Sequence, residues 1–360
     1  MPAPFDAVVV GAGQAGLAAG RQLQQRGLSY RILDAGPGPG HSWRERWDSL
    51  RLFTPARYCA LPGVAFPKPA RAPEFWCPGK EEMADYLAAY AERFELAVES
   101  GVRVEGLRHD GSEYLLRVAG GSEWRARGVV VATGAHQRPV VPGLASGLDP
   151  ATAQLTAAEY RRPAQIGGGP VLVVGAGASG SEIALELAAH GHGPVTLAGP
   201  DVGRLPGTIL GRDLYWWLYS SRIIRARCDR PPGSWICSYG AGGGDEVVGI
   251  PRRAFARAGI HRTGRVREIR DGLPATQEGP IEAETVIWCT GYRPAFGEWI
   301  DSPALDDGGD LRGSRGVIDG EPAMFTVGRP FQSHPDSGLV GGVGADAAYV
   351  ADRLVAAISR

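Results

Sequence analysis

The sequence predicts an α/β fold with two Rossmann-like dinucleotide-binding domains, the second inserted into the first. Three observations predict it. Val8-Val9-Val10 runs straight into Gly11-Ala12-Gly13-Gln14-Ala15-Gly16. Val171-Leu172-Val173-Val174 runs into Gly175-Ala176-Gly177-Ala178-Ser179-Gly180 in the same way. Beyond the second cluster, an apolar strand at 323–327 and an amphipathic helix at 344–358 return at the C-terminal end and complete the first domain.

Each cluster reads as strand, tight turn and helix. Such a turn aims a helix N-terminus and bare backbone N–H groups at a pyrophosphate. With 53 glycines in 360 residues, chance supplies roughly one G-x-G-x-x-G, so context decides. After Gly16, the residues Leu17, Ala18, Ala19 and Leu23 form an apolar helical face, and Gly27 suits a C′ position. After Gly180, Ile183, Ala184, Leu187 and Ala188 share a face, and Gly191 ends it. In each cluster the first glycine permits the turn, the second admits phosphate to the backbone, and the third packs helix on strand. Two dinucleotide sites in one chain imply electrons passing between two bound cofactors.

A unit of this kind places an acid at the end of its second strand, on the ribose hydroxyls. Tyr30-Arg31-Ile32-Leu33 leads to Asp34, 23 residues after Gly11. A carboxylate there repels a 2′-phosphate, so FAD or NAD fits the first unit. Val195-Thr196-Leu197-Ala198 leads to Asp201, 26 residues after Gly175, and the nearest base is Arg204. An acid beside a 2′-phosphate costs up to about 4 kcal/mol at ~4 Å. This favours NADH over NADPH, unless Asp201 faces solvent and selects nothing.

The remaining elements follow in order. Residues 37–78 are rich in Pro, Trp and Arg and read as an irregular insertion over the first cofactor. Residues 79–97 form an amphipathic helix with Met83, Leu87, Tyr90 and Phe94 on one face. Val102-Arg103-Val104 is a short strand, and 113–118 with 123–127 alternate as an antiparallel meander. Val129-Val130-Val131 is a buried strand ending in Ala132-Thr133-Gly134. Pro139, Pro142 and Gly143 mark a linker. Residues 201–260 are mixed and carry Tyr215-Trp216-Trp217-Leu218-Tyr219 and Trp235, suited to core packing, a substrate path or a contact between two copies in a homodimer. Val286-Ile287-Trp288-Cys289 is a further buried strand, ending in Thr290-Gly291-Tyr292. The expected domains are 1–145 with 285–360, and 146–284 between them.

Composition narrows the function classes. Formal net charge is −1, acids match bases and no basic run appears, which speaks against nucleic acid as a partner. The five cysteines are scattered, with no C-x-x-C. This points to a reducing compartment, away from a disulfide scaffold and away from a dithiol reductase. The seven histidines show no metal spacing, so no metal is expected. No segment is long and apolar enough to span a membrane. The apolar N-terminal run has Asp6 before it and no basic flank, so it reads as a strand rather than a leader, and the expected location is the cytoplasm.

Taken together, the motifs and their order resemble the flavin-containing monooxygenase-like proteins, within the glutathione reductase-like flavoproteins that carry two dinucleotide-binding domains. The carriers are Gly11 to Gly16, Asp34, Ser42-Trp43-Arg44-Glu45-Arg46-Trp47-Asp48 and Leu50-Arg51-Leu52-Phe53-Thr54-Pro55. To these add Ala132-Thr133-Gly134, Gly175 to Gly180, Cys289-Thr290-Gly291-Tyr292, Phe331-Gln332 and Gly341-Gly342-Val343-Gly344. The resemblance implies FAD on the first unit and NADH or NADPH on the second. It implies Gln14 and Ala15 at the pyrophosphate, Val104 at the adenine, Trp43, Leu52 and Thr54 near the ring system, and Leu339 to Gly344 under its pyrimidine end. A helix starting near Gly344 would turn its positive end to the reduced ring.

The implied reaction is oxygenation of a small organic substrate at N, at S or beside a ketone. NAD(P)H and O₂ are consumed through a C4a-peroxyflavin. The cofactor carries that chemistry, so the lack of an acid–base dyad excludes nothing, and no catalytic side chain is assigned.

Three departures leave an alternative open. Thr156 stands where the family's inter-domain motif has histidine, Pro200 where it has arginine, and Pro55 follows Thr54 where a peroxide-holding asparagine is usual. The alternative is an FAD-dependent NAD(P)H oxidoreductase, dehydrogenase or oxidase without oxygen insertion.

Overall fold

The computed structural model describes residues 3–242 and 247–359. Residues 243–246, within the mixed 201–260 stretch, lie outside the described residues. The first domain opens with β1 (Phe5–Val10), α1 (Gln14–Gln25), β2 (Tyr30–Asp34) and α2 (His41–Arg44). It continues through α3 (Lys80–Arg93), β3 (Val98–Ser100), β4 (Val104–His109), β5 (Tyr114–Val118) and β6 (Glu123–Val131). β1 lies parallel between β2 and β6, with Val8, Val9 and Val10 in register with Val129, Val130 and Val131. Val8–Val10 and Val129–Val131 are buried on both faces, which is why these stretches read as unbroken valine runs.

β6 changes partners along its length within a single sheet. Its first half pairs antiparallel with β5, and its second half runs parallel to β1. The two strands expected at 123–127 and 129–131 are therefore one continuous strand. The short strand expected at Val102-Arg103-Val104 begins only at Val104, because the Val102 N–H is spent on the Asp34 carbonyl at 2.8 Å.

The second domain holds β7 (Ala153–Thr156), β8 (Val171–Val174), α4 (Ala178–Ala189) and β9 (Val195–Ala198). It continues with α5 (Leu214–Ser220), α6 (Gly233–Gly242), α7 (Arg253–Arg257), β10 (His261–Thr263) and β11 (Thr285–Trp288). These five strands form a wholly parallel sheet in the order β10-β9-β8-β11-β7. The chain then returns: β12 (Met324–Thr326) joins the first sheet parallel to β6, and α8 (Val343–Ile358) packs on α1.

The boundary expected at 285 needs correction. Thr285–Trp288 pairs with Val171–Val174 and Ala153–Thr156, inside the second sheet, so the return comes after Trp288. A buried strand carries no mark of its partner in its own sequence. The two crossings between domains run side by side, Arg138–Pro139 antiparallel to Tyr292–Arg293.

Two further features join the domains. Trp47 is buried in the second domain's core with Tyr160, Ile183 and Ile287, although it follows α2 of the first. The 208–240 segment packs back on the first domain. Tyr219 stacks on Tyr58 with centroids 4.6 Å apart, Phe53 stacks on Tyr215 at 6.1 Å, and Arg57 pairs with Asp213. Core packing thus accounts for Tyr215, while Trp217 and Trp235 stay exposed.

The scattered cysteines, which pointed to a reducing compartment, include one bonded pair: Cys228 and Cys237 form a disulfide, with Cα atoms 5.6 Å apart. The turn between them brings together residues whose nine-residue spacing is no recognised motif. Cys59, Cys77 and Cys289 are free. Among the described residues no group of acids, histidines and cysteines is placed to hold a metal, and no helix is long and apolar enough to cross a membrane.

Candidate dinucleotide sites

The two glycine turns have the same construction. Gly11 has φ +106° and Gly175 φ +110°, where only glycine is unstrained. A Cβ on Gly11 would lie 2.6 Å from the Ala132 carbonyl oxygen, and one on Gly175 would overlap the Cys289 carbonyl oxygen. Ala132-Thr133-Gly134 and Cys289-Thr290-Gly291 are therefore matching parts, each closing its turn from the neighbouring strand. Gly16 and Gly180 complete the match, pressed onto the carbonyls of Gly11 and Gly175.

Gly13 differs. A Cβ there would meet nothing within 4 Å. Gly13 and Gly177 are the N-caps of α1 and α4, and neither helix has a side-chain cap or an acid in its first turn. The positive helix ends and their N–H groups are thus left for an anion. The donor set fits two pyrophosphates.

Asp34 sits at the end of β2, and its carboxylate accepts the Ala12 N–H at 2.6 Å and the Gly36 N–H at 2.8 Å. It therefore fastens the first turn from the end of the second strand. Trp43 on α2 donates its indole N–H to Gln14 Oε1 at 3.2 Å, which brings the insertion over the start of α1. Ala15 abuts Gly328, just past β12: a Cβ on that glycine would lie 2.6 Å from the Ala15 Cβ. Val104 opens β4 at the Asp34 end of the sheet, two residues after the Val102–Asp34 hydrogen bond.

Leu52 and Thr54 are buried on the loop after Trp47. The Thr54 hydroxyl is 3.1 Å from Cys59 Sγ. Leu339 donates to the Asp336 carbonyl at 2.8 Å, and Gly341 is pressed against the Tyr58 carbonyl, so the 52–59 loop meets the 339–344 loop. On the segment that precedes the 339–344 loop, the Gln332 amide and the Ser333 hydroxyl are buried without a hydrogen-bond partner. Polar atoms in that state await a ligand or water.

Sequence reasoning missed Lys80. It is buried, and its Nζ donates to the carbonyls of Arg44 and Arg46 and to Asp48 Oδ1 at 3.1, 2.7 and 2.8 Å. It fixes the strap from Trp43 to Trp47. Its rarity, with Lys68 the only other lysine, was the one available signal.

The strand end in the second unit is unlike that in the first. Gly199 occupies the place that Asp34 fills in the first unit, close enough that its Cβ would lie 3.0 Å from the Ala176 nitrogen. Asp201 lies further out and does not stand alone: Arg252 pairs with it, and Arg204 Nε lies 3.6 Å away. The expected bare acid is therefore a neutralised one.

These turns also fix the kinship of the chain. Residues 8–202 match the family model described as pyridine nucleotide-disulphide oxidoreductase. The chain belongs to that family. It is 33% identical over 97% of its length to an uncharacterised CzcO-like oxidoreductase of Geobacillus kaustophilus, covering 98% of that protein. It is 30% identical to the indole-3-pyruvate monooxygenase YUCCA1 of Oryza sativa, covering 89% of this chain and 86% of that one. Among solved structures, the flavin-containing monooxygenase of Stenotrophomonas maltophilia matches with a TM-score of 0.80 and 26% identity over 99% of both chains. The chain is a flavin-dependent oxidoreductase of the flavin-monooxygenase-like kind, and membership implies use of a flavin and a pyridine nucleotide.

Proposed function

We propose that the chain is an FAD-dependent monooxygenase that takes electrons from NAD(P)H and inserts one atom of O₂ into a small organic substrate. The observation that carries this reading is the pair of matched turns in a chain whose likeness to monooxygenases runs nearly end to end. Bound FAD would supply both hydride acceptance and oxygen activation.

This chain's residues supply the rest. Gly11, Gly13, Gln14, Ala15 and Gly16 would hold the FAD pyrophosphate and Asp34 its ribose. Val104 would meet the adenine, and Ala132, Thr133 and Gly134 would close the turn. Trp43, Leu52, Thr54 and Leu339 would wall the ring and keep water from it. Gly175, Gly177, Ser179 and Gly180 would hold the NAD(P)H pyrophosphate, with Asp201 and its arginines at the ribose end. We assign 1–145 and 289–360 to the FAD-binding domain and 146–288 to the NAD(P)-binding domain. Dependence on a pyridine nucleotide pool is why the reading places the protein in the cytoplasm.

Turnover under ¹⁸O₂ tests the proposal. One labelled atom in the product supports it. The second reading is an oxidase or dehydrogenase without oxygen insertion. It has one observation in its favour: the Thr54 hydroxyl is engaged with Cys59, and Pro55 offers no N–H to hold a peroxide. Unlabelled product with stoichiometric hydrogen peroxide would decide for it.

A further inference from the structure

Cys228 and Cys237 are bonded to each other in a chain whose scattered cysteines suit a reducing compartment. A disulfide formed there is transient, and serves catalysis or the sensing of oxidants. This pair lies on neither glycine turn. It joins the residues after α5 to α6, in the segment that packs back on the first domain. The other thiols are poor reactants: burial pushes Cys59 and Cys289 up to about 12 and raises Cys77 as well.

α6 is ten residues long, too short to keep its shape unaided. Trp235 and Tyr239 leave one side of it in solvent, each 70% exposed, while Cys237 is buried on the other. The bond at Cys237 holds that buried side. Gly233 is pressed onto the Arg227 carbonyl, and Gly240 sits on the Phe331 ring, where a Cβ would overlap the ring edge. Phe331 itself has φ +55°. A bulky residue stays in that region only where its surroundings keep it there. Beyond Phe331, the Ser333 carbonyl accepts the Cys228 N–H at 2.8 Å. Asp336 accepts the Tyr219 hydroxyl at 3.2 Å and lies 3.8 Å from Arg225. The Asp336 carbonyl takes the Leu339 N–H and abuts Gly342. The cysteine pair is thus tied through 331–336 to the 339–344 loop, which would lie under the flavin.

We infer that Cys228 and Cys237 form a peroxide-responsive site: its closure pins Phe331 and the 339–344 loop, and its opening by a small thiol frees them. The oxidant is hydrogen peroxide, which is released by an oxidase and by an oxygenase that fails to transfer its oxygen. Cys228 is the half-buried member and Cys237 the buried one, so Cys228 reacts first. Its sulfur attacks one peroxide oxygen, the O–O bond breaks, water leaves and a sulfenic acid forms. The Cys237 sulfur then displaces a second water and the S–S bond forms. Two thiols lose two electrons and one peroxide becomes two waters. Two molecules of a small thiol reverse the change and leave as their own disulfide. Arg222, Arg225, Arg227 and Arg230 flank Cys228 against Asp229 alone, a field that draws an anionic thiol. Peroxide that escapes a loosened site therefore tightens it. The effect on flavin rests on the reading of the first turn as an FAD site, and the thiol chemistry does not.

The test uses the yellow holoprotein, treated with dithiothreitol or with one equivalent of hydrogen peroxide and freed of reagent. Thiols titrated after denaturation should number five in the reduced sample and three in the oxidised one. Trypsin should cut at Arg225 or Arg227 several-fold faster in the reduced sample, and flavin should leave it several-fold faster on dilution. Cys237→Ser, or Cys228→Ser where that variant fails to fold, should behave as the reduced form under both treatments. Five thiols after peroxide, equal cleavage and flavin release in the two samples, or a response that survives in the serine variant overturns the inference. A colourless protein whose thiols and cleavage still respond would strike the FAD reading and leave the thiol site standing.

Discussion

Gly16 faces the carbonyl oxygen of Gly11 so closely that a Cβ at Gly16 would overlap it, and Gly180 stands in the same relation to Gly175. Gly13 is the opposite case. Its φ of −78° and ψ of −172° suit any residue, and its Cβ would touch nothing. The two glycines therefore separate folding from binding. Gly16→Ala should cost on the order of 3 kcal/mol or more, because a backbone oxygen cannot move aside. Gly13→Ala should change stability by less than about 1 kcal/mol and weaken FAD binding at least tenfold, as the methyl fills the cradle. Urea unfolding and visible flavin absorbance of the two variants check this. A Gly13→Ala protein that retains full flavin would contradict the assignment.

Lys80 holds three oxygens from a buried position, two of them backbone carbonyls of the strap between Trp43 and Trp47. Lys80→Met keeps the stem and strands those acceptors, so it should destabilise by about 2–4 kcal/mol. Asp48 is the exposed partner, its carboxyl held below the usual range chiefly by the hydrogen bond from Lys80. Asp48→Asn should cost under about 1 kcal/mol. Equilibrium unfolding gives both values. Similar losses from the two variants would mean that the ion pair, rather than the carbonyls, carries the effect.

The parts of the fold that local rules dictate were legible. Gly27 and Gly191, read as helix terminators, follow α1 and α4 with φ of +71° and +77°. Asp34 ends its strand where an acid was expected. What escaped depends on partners distant in sequence. Thr285–Trp288 is as apolar as a first-domain strand, and only pairing with Val171–Val174 assigns it to the second. Arg252 reaches Asp201 from about 50 residues downstream, and β10, about 60 residues downstream, pairs with β9 just before that acid. No spacing rule covers that approach, nor the closure of Cys228 on Cys237.

Asp213 is almost fully buried and has two tasks. One carboxylate oxygen accepts the Trp216 N–H at 2.8 Å and caps α5, and the other takes Arg57 from the first domain. Asp213→Ala removes the cap and leaves the half-exposed Arg57 guanidinium with Glu74 as its remaining carboxylate partner. It should cost about 1–2 kcal/mol and loosen the 208–225 segment before the rest of the protein. Limited proteolysis should then cut first at the arginines of that segment, such as Arg222 and Arg225, where the parent resists. Unchanged cleavage would show that the aromatic stacks of Tyr215 and Tyr219 keep the segment in place without Asp213.

Glu182 on α4 gives the protein a pH-dependent stability. Burial, and secondarily the Glu186 carboxylate one turn on, push its carboxyl up to about 7. Glu186 is itself committed to the Tyr160 hydroxyl at 2.8 Å. A folded value above the unfolded one means that the folded state binds the extra proton. The contribution of Glu182 is therefore full below the unfolded value near 4.5 and is lost as pH rises through 7. The loss is on the order of 2–3 kcal/mol. Glu182→Gln mimics the protonated acid at every pH. It should match the parent near pH 5 and be more stable than it near pH 8, flattening the pH profile of the unfolding midpoint between those limits. Parallel profiles for the two proteins would show that Glu182 is as well solvated folded as unfolded.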